Sequence, residues 1–214
     1  MHHAQSIGSL AGVLLAVAVV SGRQAPAPAP DLTKPAMFTD TAPATFDVQF
    51  DATFGIFIVR VTRAWAPHGA DRFYNLVKAG FYNECRFHRV VPDSLVQFGI
   101  HGDPAVSAAW NDATLPVDRA RVSNTRGRIT YAMAQLPTTR TTQVFINFKD
   151  NSRLDPDFFA PFGEVITSMI VVEQVFDKYG EDIDPRYILL EGNAWLMKYA
   201  PRLDFIKRTT ILAP

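Results

Sequence analysis

The residues of this sequence best suited to chemistry are an arginine and two glutamines, Arg89, Gln97 and Gln143. An arginine is always charged and presents a planar fork of five N–H donors. A glutamine amide both donates and accepts hydrogen bonds. Together these groups can donate and accept hydrogen bonds along a polar chain, but they include no nucleophile. Without support from its neighbours, Arg89 is better interpreted as an ordinary surface arginine on a strand.

Nucleophilic, redox and metal chemistry find less support. A Ser94–His88–Asp triad can be drawn, but Ser94 lacks the glycines of a nucleophile elbow, and His88 is better interpreted as structural or exposed than as a base. The single cysteine, Cys85, rules out an intramolecular disulfide and a zinc site with several thiolates. The acidic run at 181–184 lacks the ligand spacing of a calcium loop, which favours a solvated turn.

Composition is that of a soluble globular protein. The chain has 214 residues, of which 48% are hydrophobic and 20% are charged, enough for one domain with a sizeable core, with or without a tail. It has 21 basic and 21 acidic residues, so its net charge at pH 7 is zero. Electrostatic binding to nucleic acid or to an anionic membrane needs a basic excess. We therefore expect neither partner for the domain.

A strand-rich domain must position the candidate residues. Apolar residues alternate at Phe46, Val48 and Phe50, which indicates a strand. The period then changes between Pro67 and Ala79, which predicts an amphipathic helix. Many short strands with a few flanking helices favour a closed antiparallel barrel. Further strands are predicted at 54–61, 86–91, 95–99, 129–134, 143–147, 163–169 and 203–212, and further helices at 170–178 and 191–199.

The first 45 residues are predicted to lie outside the domain, which spans 46–214. No charged residue occurs between Ala4 and Gly22, and residues 10–20 are almost purely apolar. As a helix that run reaches about 16 Å, short of a hydrocarbon core of about 30 Å. This favours a cleaved signal peptide over residues 1–22, with an uncleaved anchor as the alternative. Residues 23–45 are rich in Pro and Ala and are predicted to form a disordered linker.

Several sequence blocks resemble the cyclophilins, the cyclosporin-binding family of peptidyl-prolyl isomerases. The signature block is Phe87-His88-Arg89-Val90-Val91-Pro92, followed by Gln97-Phe98-Gly99. The blocks follow the family's order and spacing over residues 46–179. The other blocks are Arg72-Phe73 with Asn75-Leu76, Thr142-Gln143-Val144-Phe145-Ile146-Asn147, Leu154-Asp155, and Phe159-Ala160-Pro161-Phe162-Gly163-Glu164-Val165.

The resemblance implies a mainly β fold, a closed eight-stranded antiparallel barrel with two or more flanking helices. It also implies prolyl isomerisation, a rotation that makes and breaks no bond and so needs no metal or cofactor. In this reading Arg89 and Gln97 are the catalytic residues: Arg89 is the donor, and Gln97 offers its amide to the substrate backbone and can also orient Arg89. Because residues two apart on a strand point the same way, we expect Phe87 to share a face with Arg89. The predicted substrate-binding residues are Phe87, Leu95, Ala132, Met133, Ala134, Gln143, Phe145, Leu154 and Phe159.

The sequence departs from the family at five positions in and around the predicted substrate-binding site. Asp93-Ser94 stands where the family usually has Gly-Phe, and that Phe lines the proline pocket. Arg153 aligns with a Trp that many members use in drug binding. Phe159 aligns with a pocket His, and Met133 with an Asn that binds substrate backbone. The arginine and both glutamines are kept, while the pocket is altered.

Two functions therefore remain open. The first is an exported prolyl isomerase, monomeric, that acts on proline-containing polypeptides and assists protein folding outside the cytosol. The second is a peptide-binding module on the same barrel that has lost most of its turnover through Asp93-Ser94. The retained Arg89 and glutamines favour the enzyme.

Overall fold

The structure is a computed structural model that describes Met1 and residues 29–213. Apart from Met1, the predicted signal peptide or anchor lies outside the described residues, as does the first part of the predicted linker. Within the described residues, no helix has both the length and the apolar character needed to cross a membrane.

Eight strands form one antiparallel sheet in the order β3-β4-β6-β5-β7-β2-β1-β8. The alternation read at Phe46, Val48 and Phe50 is confirmed, because all three side chains are buried on the inner face of β1. The strands are β1 (Thr45–Ala52), β2 (Gly55–Thr62), β3 (Arg89–Val91), β4 (Leu95–Phe98), β5 (Arg128–Tyr131), β6 (Val144–Asn147), β7 (Pro161–Val165) and β8 (Ile206–Ile211).

The prediction of a closed barrel is not confirmed. The sheet curls, but its end strands β3 and β8 form no ladder with each other. The segment that precedes β3 meets the β8 side through an isolated bridge between Arg86 and Phe205 and through a hydrogen bond from the N–H of Glu84 to the carbonyl of Ile206 (2.7 Å). The sheet stays open because β3 is short: it has three residues, and all of them come after the bridge at Arg86. The fold is a curled, open half-barrel.

Within residues 29–213, four α-helices flank the sheet: α1 (Pro67–Lys78), α2 (Pro104–Trp110), α3 (Met169–Val172) and α4 (Pro185–Tyr199). The predicted helix at 67–79 is confirmed, with Pro67 in its first turn. The helix predicted at 170–178 is shorter, and the one predicted at 191–199 begins earlier and is broken at Gly192, where φ is 64°. Helix α2 was not predicted.

Aromatic side chains fill the inside of the sheet. The rings of Phe50 and Phe57 stack with centroids 4.8 Å apart, and Phe98 meets Phe50 edge-on at 5.8 Å. All three are fully buried. Such pairs stabilise a core beyond the area that they bury, so this inner face gives β4 a rigid support for the opposite face.

The described part of the predicted linker, residues 29–45, contacts the domain. The indole Nε1 of Trp110 donates a hydrogen bond to the carbonyl of Leu32 (2.7 Å), and the N–H of Ala42 donates to Asp71 Oδ1 (2.9 Å). Asp40 forms an ion pair with Lys78. This segment is therefore attached to the domain at several points, and the division between linker and domain stays a prediction.

Candidate active site

Strand register brings the main candidate residues into one row on the outer face of the sheet. Arg89 of β3 is paired with Gln97 of β4, and Gln97 is paired with Phe145 of β6. Residues directly opposite each other on neighbouring strands point to the same face. Leu95 and Gln143 lie two residues from Gln97 and Phe145, so they extend the same face. The predicted grouping of these five residues is thus present in the geometry.

A chain of side-chain hydrogen bonds runs along this row. Arg89 Nη1 donates to Gln97 Oε1 (3.1 Å), and Gln97 Nε2 donates to Gln143 Oε1 (2.8 Å). Gln97 accepts from the guanidinium and is itself fixed by the next amide. Gln97 thus lies between the guanidinium and the next amide, where its predicted role of orienting Arg89 would place it.

Apolar side chains continue the row that begins at Arg89, with Phe145 two strands away from the arginine. The rings of Phe145 and Phe159 meet edge-on with centroids 5.8 Å apart. Phe145 and Leu95 are buried, whereas Leu154 and Phe159 are half-buried. Phe145 is thus packed against Phe159, and the half-buried Phe159 and Leu154 keep apolar surface exposed.

Phe87 does not lie on the outer face of the sheet with the other predicted site residues. Its side chain is fully buried in the core, 5.1 Å from the ring of Phe98 and 5.1 Å from that of Phe54. The expectation that it shares a face with Arg89 assumed a strand running through both residues. Strand β3 begins only at Arg89, so the alternation does not extend back to Phe87.

The small residues after β5 lie at the glutamine end of the row. The N–H of Ala132 donates to the carbonyl of Gln143 (2.9 Å). Ala132 and Met133 are half-buried and Ala134 is exposed. A cavity of about 90 Å³ lies here and would admit one small side chain of a bound peptide; its lining residues are Gln97, Ala132, Met133, Thr139, Thr141 and Gln143.

The turn between β3 and β4 contains the departure Asp93-Ser94. Asp93 has φ 55°, in the left-handed region that favours glycine, and aspartate is among the residues that tolerate it. The Ser94 carbonyl accepts hydrogen bonds from the N–H of Phe148 (2.8 Å) and from Asn151 Nδ2 (3.0 Å). The backbone of the turn is therefore held firmly although its residues differ from the family's.

Buried polar residues that were not predicted as site residues support this pocket. Asn151 Nδ2 also donates to Asn147 Oδ1 (2.8 Å). Asn124 Nδ2 donates to Asp155 Oδ1 and to the carbonyl of Phe159, both at 2.7 Å. The network thus ties the Ser94 turn to the loop that carries Phe159. Single asparagines in loops or at the end of a strand give no periodic signal, so the sequence offered no way to find this network.

His88 and Cys85 are buried next to the site and carry no charge at pH 7. His88 is buried, and its Nδ1 has no hydrogen-bond partner among the residues that the structure describes. Burial lowers the pKa of His88 to about 4, so it is neutral at pH 7. Burial also raises the pKa of the Cys85 thiol, which keeps it protonated and unreactive. Among the described residues, no group of three or more His, Cys, Asp or Glu could hold a metal ion.

Comparison with known proteins gives one consistent answer. A family model described as cyclophilin type peptidyl-prolyl cis-trans isomerase/CLD matches residues 45–186. The chain is 34% identical over 124 residues to peptidyl-prolyl cis-trans isomerase A of Dickeya dadantii, a match covering 56% of this chain and 65% of that protein. It is 32% identical over 138 residues to a peptidyl-prolyl cis-trans isomerase of Acinetobacter baylyi, covering 60% and 70%.

The fold is shared with solved structures. The crystal structure of a cyclophilin-type isomerase from Cryptosporidium parvum superposes with a TM-score of 0.60 at 19% identity. The match covers 79% of this chain and 99% of that one. The matched part of this chain spans just under two thirds of the Dickeya relative's length.

Proposed function

The chain belongs to the cyclophilin-type peptidyl-prolyl cis-trans isomerases, and we propose that it accelerates rotation about X-Pro bonds in polypeptides through Arg89. The observation that carries the proposal is the row on β3, β4 and β6. It holds one guanidinium, hydrogen-bonded to Gln97, on the same face of the sheet as the ring of Phe145.

The chemistry required is the stabilisation of a twisted amide. Rotation passes through a non-planar state over a barrier of about 18–20 kcal/mol. The twist breaks amide resonance and localises a lone pair on the prolyl nitrogen. A donor aimed at that nitrogen, or at the adjacent carbonyl oxygen, stabilises the twisted state more than the planar one. Arg89 supplies the donor, and no nucleophile, metal or cofactor is needed.

The arginine alone does not supply enough energy. A millionfold acceleration requires about 8 kcal/mol, whereas a hydrogen bond to a charged group contributes about 1.5–3 kcal/mol. The remainder must come from holding the peptide in a conformation close to the twisted state. Gln143 and the backbone beside Ala132 can bind the peptide chain, and the pocket of Phe145, Leu154 and Phe159 can bind the proline ring.

We propose proline-containing polypeptides as substrates and a monomer as the active form. A second structure of the Cryptosporidium isomerase was determined in the presence of the dipeptide Ala-Pro, which supports substrates of this class. The uncharged, apolar stretch near the N-terminus supports export. In that setting the isomerase would assist folding of proteins outside the cytosol.

One observation favours a weaker variant of this function. Ser94 stands where the family places a pocket phenylalanine, and a hydroxymethyl group covers little of a proline ring. Loss of that wall weakens binding by about 1–3 kcal/mol. A peptide-binding module with low turnover is therefore the second candidate.

One assay separates the two. Magnetisation exchange between the cis and trans forms of an Ala-Pro peptide is measured by NMR with and without the purified protein. We expect faster exchange, unaffected by a chelator. Peptide binding without faster exchange would support the binding module, and neither effect would contradict both.

A further inference from the structure

A carboxylate from outside the sheet binds the guanidinium of Arg89. Glu181 Oε1 accepts hydrogen bonds from Arg89 Nε (2.8 Å) and from Nη2, and the two side chains form an ion pair. Glu181 lies 92 positions away in the sequence, in the segment between α3 and α4. The sequence analysis interpreted this acidic run as a solvated turn, and its contact with Arg89 was not foreseen.

The backbone places Glu181 beside the arginine. The carbonyl of Gly180 accepts a hydrogen bond from the N–H of Val90 (3.0 Å), the residue that follows Arg89. The N–H of Asp182 donates to the carbonyl of Tyr179 (2.9 Å), which closes a turn around Gly180. Gly180 has φ 53°, a conformation that favours glycine. The carboxylate is therefore presented to Arg89 by a turn that is itself attached to β3.

The hydrogen bonds leave a defined part of the guanidinium free. Of its five N–H groups, Nε–H and one on Nη2 bind Glu181, and one on Nη1 binds Gln97. The other two N–H groups, one on each terminal nitrogen, have no partner within residues 29–213. Glu181 and Gln97 hold the planar group from two sides, so the remaining pair has a fixed direction.

We propose that Glu181 is a positioning residue for prolyl isomerisation: it fixes the plane of the Arg89 guanidinium so that its two free N–H groups face the twisting amide. The inference rests on the proposed catalytic role of Arg89. A long arginine side chain loses much rotamer freedom when it is fixed. Glu181 and Gln97 impose that loss before substrate binds, and pre-organisation of this kind favours the transition state.

The negative charge of Glu181 also opposes the positive charge that Arg89 offers to substrate. The Glu181 side chain is 58% exposed and that of Arg89 39%, so water and salt screen this opposition strongly. The orientation of the hydrogen bonds is not screened in the same way. We therefore expect Glu181 to stabilise the transition state more by orienting Arg89 than it destabilises that state by its negative charge.

The test compares Glu181→Ala with Glu181→Gln in the full chain. Glutamine keeps an oxygen that can accept from Nε and Nη2 but removes the charge. We expect Glu181→Ala to lower kcat about tenfold, with a smaller change in KM, and Glu181→Gln to stay within about threefold of wild type. Asp182→Ala is the matched control, because its carboxylate forms no ion pair within the part of the chain that the structure describes; it should leave both constants unchanged.

The outcomes separate this inference from the proposed function. In an Arg89→Ala background, Glu181→Ala should have no further effect. If Arg89→Ala slows cis/trans exchange but Glu181→Ala exchanges at the wild-type rate, the positioning role alone is overturned. Faster turnover in both Glu181 variants would mean that the carboxylate weakens the effect of Arg89. An equal loss of kcat in both variants would mean that the charge of Glu181 matters rather than its acceptor oxygen. Either result would overturn the positioning role. Wild-type rates for Arg89→Ala would overturn both proposals.

Discussion

His88 should make the stability of the protein depend on pH. The side chain is 3% exposed, and burial lowers its pKa from 6.5 to about 4. Between these values the unfolded chain binds a proton that the folded chain does not bind. Stability contributed by neutral His88 is therefore fully present above pH 6.5 and is lost as the pH falls toward 4. At 1.36 kcal/mol per pH unit, the loss amounts to about 3 kcal/mol.

The assay is urea denaturation at several pH values between 7.5 and 4, for wild type and for His88→Gln. Wild type should lose about 3 kcal/mol more of its free energy of unfolding over that range than the variant does. The variant is less stable at pH 7, but its curve should be flatter. Parallel curves for the two proteins would refute the reasoning, because they would mean that His88 is either protonated in the folded state or accessible to water.

Two further substitutions test the pocket and its support. Ser94→Phe should raise kcat/KM about tenfold if it restores about 1.4 kcal/mol of contact with the proline ring; an unchanged value would mean that Phe159 and Leu154 already cover it. Phe87→Ala should lower the free energy of unfolding, measured by denaturation, by about 3–5 kcal/mol, as for a core phenylalanine. A loss of activity at unchanged stability would mean that Phe87 binds substrate after all.

Local periodicity predicted the elements that carry the site. The helical spacing between Pro67 and Lys78 and the alternation in β1 both appear in the structure, because each follows from the burial of one face. The row of Arg89, Gln97 and Phe145 was reachable through the family resemblance, which supplied the register that a single sequence does not contain. Helix α2 was missed because only Val106 and Trp110 mark its apolar face.

Features that depend on long-range backbone pairing could not be predicted. The open edge between β3 and β8 follows from where each strand ends, which the strand pattern does not define. Phe87 was misplaced for the same reason, since β3 begins two residues later. The contact of Glu181 with Arg89 depends on the hydrogen bond from Val90 to Gly180, and no local pattern reports such a bond.

The central claim is that Arg89 stabilises the twisted amide, and Arg89→Ala tests it most directly. The measurement is kcat/KM for cis/trans exchange of an Ala-Pro peptide, with thermal unfolding as a check that the variant is folded. Arg126→Ala is the matched control, because Arg126 is also a half-exposed, ion-paired arginine. The account predicts a loss of roughly ten- to a thousandfold for Arg89→Ala, about 1.4–4 kcal/mol, and no loss for Arg126→Ala. A folded Arg89→Ala variant with wild-type exchange rates would contradict it.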